Sequence, residues 1–163
     1  LILRYTSMAT LAEEYRNIKD YLMIQKNRLE DQLEFRLELE SALESFRVPK
    51  LILQPLVENA IIYGWKGEDR VRWVEVCTDR VGGAVRVRVQ DNGQGMTAAQ
   101  LERYRQMLEN DPAIGGNIGV RNVARRLQLH FNGQCSFEVE SQEGEGTAIT
   151  MTFPMPVEGE ESL

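Results

Sequence analysis

The sequence predicts an α/β sandwich of two layers, a mixed and mostly antiparallel sheet under a single layer of helices. Two observations lead there. Alternating apolar runs of strand length come in pairs joined by Gly-Gly or Gly-Glu-Gly, and stretches of helical period stand between those pairs. Strands outnumber helices only modestly and do not alternate one for one with them, so a doubly wound parallel sheet is excluded.

Thr10-Leu11-Ala12-Glu13 is a capping box, in which hydroxyl and carboxylate satisfy the backbone donors that a helix start leaves open. Leu11, Tyr15, Ile18, Leu22 and Gln25 follow at helical spacing, and helix formers continue to about Leu29. Leu33, Phe35, Leu37 and Leu39 then alternate with polar residues as a half-buried strand does. Pro49 stands at a natural first-turn position for a second helix, apolar nearly all round from Leu51 to Tyr63 and stopped at Gly64. A hairpin turns at Gly82-Gly83, and Asp91 to Gly95 is too glycine-rich for a regular element. Thr97-Ala98-Ala99-Gln100 caps a third helix, Asn110 to Ile118 reads as a loop, and a fourth helix runs from about Gly119 to Phe131. Two strands, Cys135–Val139 and Thr147–Phe153, turn about Gly144-Glu145-Gly146, and the acidic tail from Glu158 has little reason to fold.

A chain of 163 residues with 42% hydrophobic residues buries a sufficient core without disulfides or a structural metal. With 19 Lys+Arg against 25 Asp+Glu, the net charge of −6 argues against nucleic acid as a partner. Cys77 and Cys135 each lie in an alternating run, which predicts buried thiols of a reducing compartment rather than a bridge. No apolar run reaches the ~18 residues of a membrane span, so no membrane contact is expected of this stretch. It opens on Leu1-Ile2-Leu3-Arg4-Tyr5 without an initiator Met, as a piece of something longer would.

Three polar insertions interrupt this apolar pattern. Glu58 and Asn59 stand amid Leu53, Leu56, Val57, Ile61 and Ile62, where desolvation demands a partner. Either they form a cap or buried hydrogen-bonded pair, or the Asn59 oxygen ligates Mg²⁺ while Glu58 orients or deprotonates an attacking group. Asp91-Asn92-Gly93-Gln94-Gly95 is either a simple turn or a ligand loop, in which an ionised Asp91, an acceptor only, selects a donor edge such as the amine of adenine. Gly115-Gly116-Asn117-Ile118-Gly119 precedes a helix and can meet a phosphate chain with freed N–H groups, although it is neither a Walker A nor a Rossmann loop.

In order, Glu58-Asn59-Ala60, Asp91-Asn92-Gly93-Gln94-Gly95, Asn117-Ile118-Gly119 and Gly144-Glu145-Gly146-Thr147 resemble the N, G1, G2 and final glycine boxes of the Bergerat-type (GHKL) ATPases, which include gyrase, Hsp90, MutL and histidine kinases. Tyr21-Leu22-Met23-Ile24-Gln25, the run from Val48 to Ala60 and that from Gly119 to Leu127 further resemble LytS-type sensor histidine kinases over nearly the whole chain.

The resemblance implies a Bergerat ATP-binding fold and a catalytic domain that passes the ATP γ-phosphoryl group to a histidine outside this stretch, for relay to a response regulator. It divides the chain into residues 1–30, the end of a dimerisation hairpin and a helical connector lying outside the sandwich, residues 31–157, the ATPase domain, and the tail 158–163. An alternative for Leu11 to Leu29 is an amphipathic helix packed on its own domain. Asn59 would bind Mg²⁺ and Asp91 the adenine amine; Gly93, Gly95, Met96, Asn117, Gly119 and Val120 would form pocket and lid. Thr147 would support Asp91 through water, and Glu58 would help the acceptor imidazole lose its proton. The partners implied are ATP, the phosphoacceptor hairpin of the same protein, a response regulator and a second copy in the intact receptor, with this part on the cytoplasmic side of a bacterial plasma membrane. His130, the one histidine, stands on the wrong side of the boxes for an acceptor and is expected to be structural or superficial.

One position departs from the pattern: Ile62 stands where the N box usually has a phosphate-facing Lys. Lys66, Arg121 or Arg125 could supply that charge, and Arg125-Arg126 could equally be a solvated face. The absence of that Lys keeps a degenerate, non-catalytic nucleotide module open, and an ATP-hydrolysing clamp in which Glu58 activates water is a separate alternative.

Overall fold

The computed structural model describes residues 7–62, 70–109 and 118–155. Strand β1 (Met8–Thr10) leads into helix α1 (Leu11–Leu29), followed by β2 (Leu33–Leu39), β3 (Arg47–Pro49), α2 (Gln54–Ile62), β4 (Arg72–Val81), β5 (Ala84–Asp91), α3 (Ala98–Glu109), α4 (Ile118–His130), β6 (Ser136–Gln142) and β7 (Gly146–Pro154). The main sheet has the order β2-β4-β5-β7-β6, with β2 parallel to β4 and the other pairs antiparallel, and β1 pairs separately with β3. This is the expected mixed sandwich. The helices lie on one face as neighbours: α1 meets β2 and α2, α2 meets β5 and α4, and α3 meets α4 and β6.

The alternation in the strands decides which face is covered. Val74, Val76, Val85, Val87, Val89, Ile149, Met151 and Phe153 are all nearly inaccessible beneath the helices. Each such side chain contributes about 1.5–3 kcal/mol by leaving water. Phe153 lies between the rings of Phe46 and Phe131, at centroid distances of 5.8 and 5.0 Å. The opposite face is open and charged, with Arg86 and Asp79 paired at 2.8 Å across neighbouring strands.

The expectation that the first ~30 residues lie outside the sandwich does not hold for Leu11–Leu29. Leu11, Ile18 and Leu22 are fully buried, and the Tyr15 hydroxyl donates to the Glu38 carbonyl at 2.9 Å and meets Thr78 Oγ1 at 2.6 Å. A carbonyl only accepts, so Thr78 donates to the phenol oxygen. The helix is amphipathic and packed on its own domain, with Thr10 Oγ1 accepting from the Glu13 N–H at 3.1 Å as its capping box requires.

Pro49 corrects a second expectation. It ends β3, opposite Met8, and α2 begins at Gln54 with Pro55 in its first turn. Leu51, at φ 60°, turns the chain between the two elements and keeps 51–53 out of the helix. Tyr63, Gly64, Lys66, the loop 110–117 and the tail 158–163 lie outside the described residues. Both cysteines are free and only half-buried. Desolvation and then the Glu75 carboxylate, which accepts from the thiol at 3.4 Å, push Cys77 up to about 12 and leave it a poor nucleophile. His130 is exposed at the end of α4, with its ring edge-on to Phe131. Among the described residues no helix is long and apolar enough to cross a membrane.

Candidate functional site

One row on the covered face of the sheet breaks the apolar rule. It runs Phe35, Val74, Asp91, Thr147, Ser141 across β2, β4, β5, β7 and β6. The next row, Leu37, Val76, Val89, Ile149, Val139, is wholly apolar. Three adjacent polar side chains at the end of the covered face, beyond a wholly apolar row, mark a place where the core gives way to something polar.

Asp91 closes β5 and is 7% exposed. Its Oδ1 accepts from the Gly93 N–H at 2.8 Å, and the Thr147 backbone N–H also holds the carboxylate. Desolvation outweighs both bonds and raises its pKa to about 6. The group is still ionised at neutral pH, an acceptor with unspent capacity facing the helical layer.

The loop after Asp91 is held closely rather than loosely. The Gly144 N–H donates to the Gln94 carbonyl at 2.6 Å, and the Met96 N–H donates to Ser141 Oγ at 2.9 Å. Ser141 gives its proton to the Gly146 carbonyl at 2.9 Å, so the Thr147 hydroxyl is the donor in the 2.9 Å contact between the two side chains. Gly95 has φ +68°, and a Cβ there would lie 2.0 Å from the Gln142 carbonyl oxygen. Only glycine allows that approach. Asn92 turns away, accepting from the Trp73 N–H at 2.7 Å and donating to the Val71 carbonyl at 3.1 Å. Thus β5 and β7 bring Asp91, Gly93, Gly95, Met96 and Thr147 together.

Glu58 and Asn59 come from α2, which lies across β5. Glu58 Oε1 accepts from Gln54 Nε2 at 3.0 Å, one turn earlier. Asn59 Oδ1 is buried and accepts no hydrogen bond among the described residues. An orphaned amide oxygen of this kind costs about 1–3 kcal/mol, which a ligand can offset. A hard cation suits it. No cluster of three or more His, Cys, Asp or Glu side chains that could hold a metal ion exists among the described residues. Val120, in the first turn of α4, is buried, and a Cβ on Gly119 would sit 3.4 Å from Pro55 Cβ, so the starts of α4 and α2 abut. Asn117 lies outside the described residues.

A cleft of about 190 Å³ opens between α1 and the end of α2, lined by Tyr21, Gln25, Arg28, Ile61, Ile62 and Arg72. Burial, and then the negative charge of Glu58, raise the pKa of Tyr21, so Glu58 acts on this side of α2. Ile62 is 59% exposed at its rim. Of the cations considered for its missing charge, Arg121 is buried and Arg125 exposed on α4. Arg126, half-exposed, donates to the carbonyls of Lys50 and Leu51.

A family model described as histidine kinase-, DNA gyrase B-, and HSP90-like ATPase matches residues 47–157. The chain belongs to this ATPase family. It is 32% identical over 148 residues to the sensor histidine kinase YesM of Bacillus subtilis strain 168, covering 90% of this chain and 24% of YesM. It is 31% identical over 153 residues to the sensor protein LytS of Bacillus anthracis, covering 94% and 26%. This ATPase domain therefore spans about a quarter of the length of the curated relatives it matches. Among solved structures, the catalytic domain of histidine kinase ThkA superposes with a TM-score of 0.67 at 18% identity, over 91% of this chain and 94% of that one. ThkA in complex with the response regulator protein TrrA gives 0.63 at 18% identity, over 97% and 46%. The fold is that of the histidine kinase catalytic domains.

Several residues that build the site in this ATPase domain escape sequence reasoning. Ser141 looks like any polar position of an edge strand, and only the register across β7 reveals it beside Thr147. Arg70 donates to the Gly93 carbonyl at 2.9 Å from outside every motif. Glu14 is an acidic first-turn residue of α1 by pattern, yet it is 1% exposed and accepts from the backbone N–H groups of Leu51, Ile52 and Leu53. A Glu on the apolar face of a helix is the one available signal.

Proposed function

We propose that this domain binds ATP with Mg²⁺ and donates the γ-phosphoryl group to a histidine elsewhere in a larger sensor kinase. The single observation that carries the proposal is the pairing of a buried, ionised Asp91 with an orphaned Asn59 oxygen, on a fold shared with histidine kinase catalytic domains. Asp91 accepts from the exocyclic amine of adenine; guanine, which offers a carbonyl there, is rejected. Gly93, Gly95 and Met96 shape the base pocket. Thr147 and Ser141 steady the loop beneath it. Gly119, Val120 and Asn117 form the lid end of the site, where the start of α4 meets phosphate oxygens.

Asn59 holds the metal, which when bound neutralises charge on the phosphates during transfer. The bond between the γ-phosphorus and the bridging oxygen breaks, a phosphorus–nitrogen bond forms at the acceptor imidazole, and ADP leaves. Glu58 takes the imidazole proton, held for that role by Gln54. The ATPase domain takes in α1 (Leu11–Leu29), which packs on its own sheet and on α2, so the dimerising hairpin would join the domain ahead of α1. The intact protein is a homodimeric membrane sensor whose phosphohistidine passes its group to a response regulator, and this domain works on the cytoplasmic side.

The full-length protein, incubated with γ-labelled ATP, should acquire an acid-labile, base-stable phosphohistidine. Glu58→Gln should lose most of that label while still binding nucleotide. Free phosphate without phosphohistidine would instead favour an ATP-hydrolysing clamp. Nucleotide binding without either product would favour a non-catalytic module, the reading that Ile62 at the cleft rim keeps open.

A further inference from the structure

Two consecutive peptide units ahead of α2 are each held at both ends by opposite charges. In the unit joining Lys50 and Leu51, the N–H donates to Glu14 Oε2 at 3.1 Å and the carbonyl accepts from Arg126 Nη2. In the next, the Ile52 N–H donates to Glu14 Oε1 at 2.8 Å and the Leu51 carbonyl accepts from Arg126 Nη1 at 3.3 Å. The Leu53 N–H adds a longer contact to Glu14 Oε1 at 3.4 Å. Glu14 belongs to α1 and Arg126 to α4. Their dipoles lie between a carboxylate and a guanidinium, so each charge strengthens the grip of the other.

This segment decides where α2 starts. The Leu53 carbonyl accepts the first helical bonds, from Leu56 and Val57, yet Leu53 has no side chain with which to cap the helix. Glu14 instead holds the three N–H groups just before the helix, those of Leu51, Ile52 and Leu53, and so brings a negative charge near the positive helix end. Asn59 lies within two turns of that start, so its amide oxygen follows any shift of residues 51–53. Arg126 adds the tie to α4, whose first turn carries Gly119 and Val120.

We propose that Glu14 and Arg126 are positioning residues for the metal side of the site, fixing α2 against α4 through the peptide units 50–51 and 51–52 so that Asn59 meets Mg²⁺ in register. The proposal rests on the nucleotide-binding function above. It separates two halves of the site: Asp91 stands on the sheet, outside the clamp, and base recognition does not depend on it.

The test is calorimetric titration of this chain with ADP, in excess Mg²⁺ and in EDTA, together with amide exchange of the ligand-free protein. Arg126→Met keeps the stem and removes the charge; being half-exposed, it spares the core that Glu14→Gln could disturb. Arg126→Met should shrink the Mg²⁺-dependent gain in affinity at least fivefold and leave affinity in EDTA within twofold. It should also speed exchange of the Leu51, Ile52 and Leu53 amides at least tenfold. Arg126→Lys should restore at least half of the lost gain. An unchanged Mg²⁺ gain, or an equal loss in Mg²⁺ and EDTA, would overturn the proposal. A wild-type protein that binds no adenine nucleotide would overturn the nucleotide-binding function itself and the clamp's role with it, a result distinct from binding that ignores Arg126.

Discussion

Gly146 lies against Asp91 so closely that a β-carbon on it would sit 2.1 Å from the Asp91 carbonyl oxygen and 2.9 Å from Asn92 Cα. Its φ of +107° is a conformation that side chains rarely adopt. The loop bearing the candidate base acceptor and the turn joining β6 to β7 are thus fitted backbone to backbone. Gly146→Ala should destabilise the fold by about 2–4 kcal/mol, combining clash and backbone strain. Gly144→Ala, at φ +83° but with nothing within 4 Å, should cost only about 1 kcal/mol. Denaturant unfolding of the two variants checks the difference.

Asp91 links stability to pH in a known direction. Its pKa is raised by burial to about 6 in the native protein, so between the unfolded value and 6 the native state binds more protons than the unfolded one. Stability contributed by this group therefore falls as pH rises through that window and stays low above it, by an amount on the order of 2–3 kcal/mol. Asp91→Asn should stabilise the free protein more at pH 7.5 than at pH 4.5, as urea unfolding at both values will report. Adenine affinity should move oppositely, weakening by up to about tenfold per unit below pH 6 as the acceptor is protonated.

Tyr15→Phe removes one buried hydroxyl that serves both the Glu38 carbonyl and Thr78. The loss should be about 1–2 kcal/mol, because Thr78, 2% exposed, keeps a polar group without its partner. Thermal unfolding should register it while nucleotide affinity stays unchanged, since the hydroxyl's partners, Glu38 and Thr78, lie on β2 and β4 and neither holds Asp91 or α2.

Much of this was legible in the sequence because it is local. Capping at Thr10 and Thr97, alternation in β4, β5 and β7, and the Gly82-Gly83 turn are each fixed by residues within a few positions. Asp91 and Asn59 were legible because a carboxylate and an amide interrupt apolar runs. What escaped is nonlocal. Pairing of Met8 with Pro49 makes β3 a strand where Pro49 alone suggests a helix start, and no local signal announces it. Ser141 acquires its role only through its register with Thr147, and Glu14 only through packing against a segment 37 residues away. The burial of α1 had an equal competitor in a free connector, since an amphipathic face does not name the surface it covers.

Ile62 stands exposed at the rim of the cleft between α1 and the end of α2, at the position where resemblance to the N box implies a Lys. Ile62→Lys should tighten Mg²⁺-ATP binding by about two- to fivefold at low salt, the range of a solvent-exposed ion pair. Most of that gain should vanish near 0.5 M salt, where screening acts within about 5 Å. Fluorescent-nucleotide titration at two ionic strengths measures both.

The central claim is that one base and one metal are recognised by Asp91 and Asn59. Isothermal titration of this 163-residue chain with ADP and GDP in Mg²⁺, alongside Asp91→Asn and Asn59→Asp, tests it most directly. A charged hydrogen bond to the adenine amine predicts a preference for ADP of roughly 10- to 100-fold, removed by Asp91→Asn, with weakened Mg²⁺-dependent binding in Asn59→Asp. Equal affinity for the two purines, or a preference that survives Asp91→Asn, would contradict it.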